Sequence, residues 1–269
     1  MKEKSGIEEY HGLADHKITT SKINAYLNCP ARYMFQYVEK LKVPSRSALL
    51  RGLAFHNAVG ENYLQKVETE KDLPEADVLD IFGTQFDLGV PDTMWFEDEK
   101  PGVIKDSGYK MLSAYHSIIA PGVQPVEVEM TFELKLKGTD QVFSGRVDTI
   151  TKDETIIDHK TKSSKPAYVD PNHKIQMTAY TAGFQVEHQK KPKGNRLDYI
   201  VDKKKPECVS FDLEITDNDI ELLLNLIGRY QLAIQAGIDL PNRGNFLCAK
   251  RFCPYAYECE RVYGGTVRE

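Results

Sequence analysis

No run of apolar residues in this 269-residue sequence is long enough to span a bilayer, so a membrane protein is not expected. The opening residues, MKEKSGIEEYHGLADHK, lack the apolar core of a secretory signal, and a cytoplasmic location is expected. Positive charge is not in excess. With 35 Lys+Arg against 40 Asp+Glu the formal net charge is −5, which excludes a uniformly basic nucleic-acid coat but not local basic patches. No Gly-rich loop closing on Lys-Ser/Thr occurs, so no phosphate-loop nucleotide chemistry is expected. Cysteine is sparse: an odd total of five, in a chain without secretory features, argues against a disulfide framework. Internal repeats and low-complexity segments are also missing. What remains is an ordinary globular composition, 41% hydrophobic and 28% charged, at a length that suits one or two domains.

The pattern changes period along the chain. Residues 1–17 are polar and aperiodic and read as a flexible tail. A helix opens at Thr19–Ile23, with Thr20 or Ser21 as cap, and continues past Pro30. A second helix is expected over 48–65, with Leu49, Leu53, His56 and Ala58–Val59 near one face. Residues 70–120 read as mostly helical, with loops around Pro91 and Pro101–Gly102. Alternation then sets in. VEVEMTFELKL (126–136), VFSGRVDTITK (142–152) and ETIIDHKTK (154–162) read as an antiparallel meander, with a turn at Lys137–Asp140. A helix over 173–188, strands over 196–202 and 208–215, and an amphipathic helix over 216–237 follow. This order predicts a mixed α/β domain with one sheet and helices packed on it.

Three groups of residues carry chemistry. Asp158 and Lys160 stand at i and i+2 on one strand and so share a face, and hairpin pairing brings Asp148 beside them. Two carboxylates beside a lysine suit Mg²⁺ or Mn²⁺, and such an ion offsets phosphodiester charge and acidifies a bound water. Asp-x-Lys alone is usually a solvated strand face. Here apolar residues precede each aspartate, and charges there need a partner. His56 follows Gly52, where backbones can approach closely, and its imidazole suits Mn²⁺. Gln176 and Tyr180 share a helical face, as ordinary amphipathic-helix residues or as phosphate and base contacts. Cys248, Cys253 and Cys259 cluster near the C-terminus, with Cys29 far upstream. They read either as scattered buried thiols or as a shared metal site. Cys208, in a strand, reads as structural.

In order, GLAFH, GRVDTI, IIDHKTK and QMTAY resemble the RecB-like branch of the PD-(D/E)XK nuclease superfamily. ITTSKINAYLNCPARYMFQY is similar to that branch's opening helix. CAKRFCPYAYEC resembles the cysteine cluster of its iron–sulfur members, among them CRISPR-adaptation exonucleases and AddB-type recombination nucleases. The resemblance implies a restriction-endonuclease-like α/β fold, a central mixed sheet flanked by helices. It spans 18–269 as a single nuclease domain, with a helical region over 18–122, a catalytic core over 123–237 and a metal-cluster region over 238–269. It implies Asp148, Asp158 and Lys160 as catalytic residues. His56, Asp148, Asp158 and the backbone carbonyl of His159 become metal ligands, and Gln176 and Tyr180 contact DNA. Glu129 is a looser additional acidic position. Cys29, Cys248, Cys253 and Cys259 become ligands of a structural [4Fe–4S] cluster. Cys248 and Cys253 are separated by four residues, where two is commonest in the family, and this leaves zinc open as the occupant.

The expected activity is metal-dependent hydrolysis of DNA by an exonuclease on single-stranded ends. The alternative is a non-catalytic DNA-end-binding subunit of a recombination or CRISPR-adaptation complex. Arg32, Lys162, Lys165 and Lys174 are candidate phosphate contacts, and Lys203–Lys205 form a charged turn, more often solvated than functional but worth testing as a further contact. Tyr33, Phe35 and Tyr37 could stack on bases, but core packing is the better reading for at least two of them.

Overall fold

The computed structural model describes residues 17–135 and 141–269. The expected tail, apart from Lys17, and the turn at 137–140 lie outside them. The chain packs into two compact units, each built from separated stretches of sequence.

The larger unit comprises residues 44–132 and 145–217. Its first stretch contains three long helices: α3 (Ser47–Thr69), α4 (Glu75–Gly89) and α5 (Pro101–Ile118). Pro101 and Gly102 open α5 rather than forming a loop, because proline at the first helical position gives up an N–H that has no intrahelical partner. The buried face of α3 carries Leu50, Ala54, Phe55, Ala58, Val59 and Tyr63. Ala58 and Val59 lie on it as expected, but Leu49 and Leu53 are 55% and 54% exposed, and their neighbours Leu50 and Ala54 are covered in their place. Phe82 and Phe86 of α4 and Met111, Leu112 and Tyr115 of α5 complete one core, which also takes Ile157 and Ile200 from the sheet.

The sheet strands are β4 (Pro125–Lys135), β5 (Val142–Thr151), β6 (Thr155–Lys162), β7 (Gly194–Val201) and β8 (Glu207–Asp212). They run in the order β4-β5-β6-β7-β8. β5–β6 and β7–β8 are antiparallel and β6–β7 is parallel, so the sheet is mixed as expected. The parallel pair needs a crossover, supplied by α6 (Pro171–His188), with Asp170 as its N-cap. Alternation in β4 is broken. Glu129 takes φ 56°, Val126 is 40% exposed, and Phe132 is buried, so inward-facing positions change parity across Glu129 in the manner of a bulge.

Phe132 locks α6 to the sheet. A Cβ at Gly145 of β5 would lie 2.5 Å from its ring, and one at Gly183 of α6 would lie 2.3 Å from it. Gly183→Ala is therefore expected to destabilise the fold by about 1–3 kcal/mol through overpacking. Urea unfolding should show a lower midpoint with an unchanged slope. An unaltered midpoint would mean that the ring has room to move.

The smaller unit comprises residues 17–43, 133–135, 141–144 and 218–269 of the described chain. β1 (Lys17–Ile18) pairs in parallel with Val142 and Phe143, the first residues of β5. α1 (Thr20–Asn28) is capped by Thr19, whose hydroxyl accepts from Lys22 N at 3.3 Å, one residue before the expected cap. α2 (Pro30–Tyr33) runs into a π-helical turn at Met34–Val38. α7 (Asp217–Gln235) and the short α8 (Ala256–Tyr263) complete the elements. Tyr33 and Phe35 are core residues, at 5% and 1% exposure, and the Tyr33 hydroxyl bonds to that of Tyr230. Among the described residues no helix is long and apolar enough to cross a membrane.

Candidate active site and cysteine cluster

In β5–β6, Thr149 pairs with Ile157 and Ile150 with Ile156. Continuing that antiparallel register one pair further sets Asp148 opposite Asp158, with both side chains on one face. Lys160, two residues on, shares it. Its Nζ lies 2.9 Å from both Asp158 oxygens and donates to Oδ1. His56 comes from α3, with Nδ1 3.5 Å from Asp148 Oδ2. From α6 the Tyr180 hydroxyl donates to Asp148 Oδ1 at 3.4 Å and accepts from Gln176 Nε2 at 2.6 Å. The larger unit thus brings His56, Asp148, Asp158, Lys160, Gln176 and Tyr180 together. Tyr180 is buried and steadies Asp148; Gln176 is half-buried.

The electrostatics are those of a site short of positive charge. Asp158 is fully buried, and burial followed by the Asp148 charge pushes its pKa up to about 6, against the pull of Lys160 and His56. Asp158 Oδ2 accepts no hydrogen bond. Burial works against the Lys160 charge, but Asp158 and Asp148 outweigh it, and its pKa rises. Burial and then Lys160 lower the His56 pKa, against the pull of Asp158. A buried carboxylate oxygen that accepts no hydrogen bond and has only the Lys160 ammonium against it, with a second carboxylate and an imidazole nearby, is a donor set that fits a hard divalent cation. Among the described residues no group of three or more His, Cys, Asp or Glu, here or at the cysteines, stands close enough together to hold a metal ion as it is.

Other expected residues fall differently. The His159 side chain points away from the cleft, since strand residues alternate. Its Nε2 lies 3.2 Å from the Tyr63 hydroxyl and its Nδ1 3.6 Å from Asp198. Burial pushes its pKa down to about 3. Asp198, its register partner on β7, also accepts from Arg196. This buttress behind the catalytic strand was not anticipated, because nothing in a single strand's pattern reveals its neighbour. Gly52 does not mark an obligatory close approach: a Cβ there would make an ordinary 3.7 Å contact with Thr161 Oγ1. Glu129 pairs with Arg146 at 3.0 Å. Lys162 lies 3.7 Å from Asp170, Lys165 4.0 Å from Glu207, and Lys203 2.8 Å from Glu207.

In the smaller unit Cys29, Cys248, Cys253 and Cys259 line one cavity, together with Asn28, Arg32, Phe35 and Tyr255. Arg32, a candidate phosphate contact, thus sits at the thiols. All four thiols are free. The backbone N–H of Asn242 donates to Cys29 Sγ at 3.4 Å, and the side chains of Asn242 and Asn245 donate to the Asn28 carbonyl. Burial raises the Cys253 and Cys259 pKa values, and the neighbouring thiols add to the rise. Four sulfurs around one cavity, one already receiving a backbone N–H, form a donor set that fits an iron–sulfur cluster or zinc.

A family model describing the PD-(D/E)XK nuclease superfamily matches residues 17–260, and the chain belongs to that superfamily. Its members generally use divalent metals. No curated protein matches the sequence. The crystal structure of a candidate exonuclease from Eubacterium rectale aligns with a TM-score of 0.56 at 12% identity, covering 88% of each chain, which shows a shared fold. The protein SSO0001 aligns with a TM-score of 0.46 at 14% identity, over 92% of this chain and 87% of that one, too distant to define a fold.

Proposed function

We propose that this nuclease is a divalent-metal-dependent deoxyribonuclease of the RecB-like branch, an exonuclease acting on single-stranded DNA ends, with a structural [4Fe–4S] cluster. The observation that carries the catalytic reading is Asp158. It is a fully buried carboxylate facing Asp148 across the hairpin, with Oδ1 accepting a hydrogen bond from Lys160 and Oδ2 accepting none, though in ion-pair contact with the same ammonium. A cation held by His56, Asp148, Asp158 and the His159 carbonyl would neutralise phosphate charge and supply an acidified water. Lys160 keeps its ammonium charged beside Asp158, where it can orient that water and offset charge developing on the phosphorus. Tyr180 holds Asp148 in place through its hydroxyl, and Gln176 holds Tyr180. Gln176 is half-buried and offers an amide to a DNA phosphate or base. Cys29, Cys248, Cys253 and Cys259 are assigned as the cluster ligands, with zinc the less favoured occupant, and recombination or CRISPR-adaptation proteins as partners.

The test is digestion of end-labelled single- and double-stranded DNA by the intact protein. Release of mononucleotides or short products from single strands, dependent on Mn²⁺ or Mg²⁺ and abolished by EDTA, is expected. Cleavage of closed circular single strands would overturn the exonuclease assignment. Binding of DNA ends without any metal-dependent cleavage would overturn the enzyme assignment.

A further inference from the structure

His173 occupies the first turn of α6, three residues before Gln176 and seven before Tyr180. All three therefore share one helical face. Tyr180 fixes that face against the carboxylates through its contact with Asp148. At the other end, His173 Nδ1 lies 2.8 Å from the Tyr199 hydroxyl. Tyr199 is the register partner of Lys160 in the parallel β6–β7 pair. His173 thus stands on the Lys160 side of the site and Tyr180 on the Asp148 side.

The contact with Tyr199 bears on the imidazole tautomer. The Tyr199 hydroxyl stays protonated because burial pushes its pKa up to about 12, so it has a proton to donate. When that hydroxyl donates its proton, Nδ1 of His173 is the acceptor it reaches. A neutral imidazole then carries its own proton on Nε2. Neutrality itself follows from burial and from the charges of Lys160 and Lys162, which push the His173 pKa down to about 4. Among the described residues Nε2 has no hydrogen-bond partner.

We propose that the Nε2–H of His173 donates a hydrogen bond to a non-bridging oxygen of the phosphate next to the one that is cut, which makes His173 a substrate-binding residue. The assignment rests on the reading of the chain as a DNA nuclease. A neutral donor suits this position, because a further cation beside Lys160 and Lys162 would be repelled by both. Tyr199 is then a positioning residue, acting through the tautomer that it imposes.

Three substitutions separate binding from packing. His173→Ala removes both ring nitrogens. His173→Gln restores an amide N–H near the Nε2 position, and His173→Asn restores only a group near Nδ1. The expected result for His173→Ala is a KM for single-stranded DNA raised about ten- to a hundred-fold, the range of a hydrogen bond to a charged group. Its kcat should change less than about threefold, as for a contact made equally in ground and transition states. His173→Gln should recover most of the lost affinity and His173→Asn should not. Dissociation constants in Ca²⁺ should follow the same order, with thermal midpoints close to that of the parent protein. A KM within twofold of the parent for His173→Ala would overturn the assignment and leave the nuclease reading standing. Rescue by asparagine and not by glutamine would also overturn it, by showing that the Tyr199 contact alone matters. Failure of the parent protein to cleave DNA in Mn²⁺ or Mg²⁺ would bring down both readings.

Discussion

Lys160→Ala is expected to lower the rate of DNA hydrolysis by about 10²–10⁴-fold, the usual contribution of a positioned proton-transfer or charge-stabilising group. The reason is geometric. Lys160 is the one ammonium held within 2.9 Å of both Asp158 oxygens, and its own pKa is raised by the carboxylates around it. The fold should survive the substitution. Asp158, with its pKa already at about 6, can take up a proton rather than remain an isolated buried charge. Calorimetric titration with Mn²⁺ should still show binding, which separates loss of chemistry from loss of the metal site. Hydrolysis by the alanine variant at the parent rate, in a folded protein that binds Mn²⁺, would remove Lys160 from the mechanism.

Cys259→Ser is expected to have the largest effect on stability. The four thiols line one cavity between Asn28–Cys29, at the end of α1, and the loop and helix at the C-terminus. A metal cluster there would close a loop running through most of the sequence, and such closures stabilise strongly. Anaerobically purified parent protein should be brown, with visible absorbance that serine at Cys259 abolishes. The variant should lose at least about 3 kcal/mol, or roughly 6–12 °C in Tm. A colourless parent that contains zinc would replace the cluster with a zinc site. A colourless, metal-free parent as stable as the variant would leave these residues as packed thiols.

Much of this architecture was legible because local chemistry and local geometry agree. The i, i+2 spacing of Asp158 and Lys160 needs only the strand repeat, and a hairpin turn of a few residues settles that Asp148 meets them. Gln176 and Tyr180 follow from the helical repeat in the same way. The mismatch on α3 has an equally physical origin. Leu49 and Leu53 are as apolar as Leu50, and only the positions of α4 and α5 decide which leucine is covered. The break at Glu129 was invisible because a glutamate with positive φ carries no mark in a strand pattern. His173 had a readable signal, its spacing to Gln176. Its value came only from Tyr199, a residue 26 positions away on another strand.

The sequence by itself determined the order of helices and strands, the acidic and basic groups that share one strand face, and the identity of the four thiols. Periodicity and residue chemistry are local properties, carried within a few residues of each position. Only the tertiary structure decided that Asp158 is sealed from water against Lys160, that His159 leans on Asp198, and that a tyrosine on β7 meets the imidazole of a histidine on α6. Burial and cross-strand neighbours arise from packing between distant segments, and charge states follow from burial.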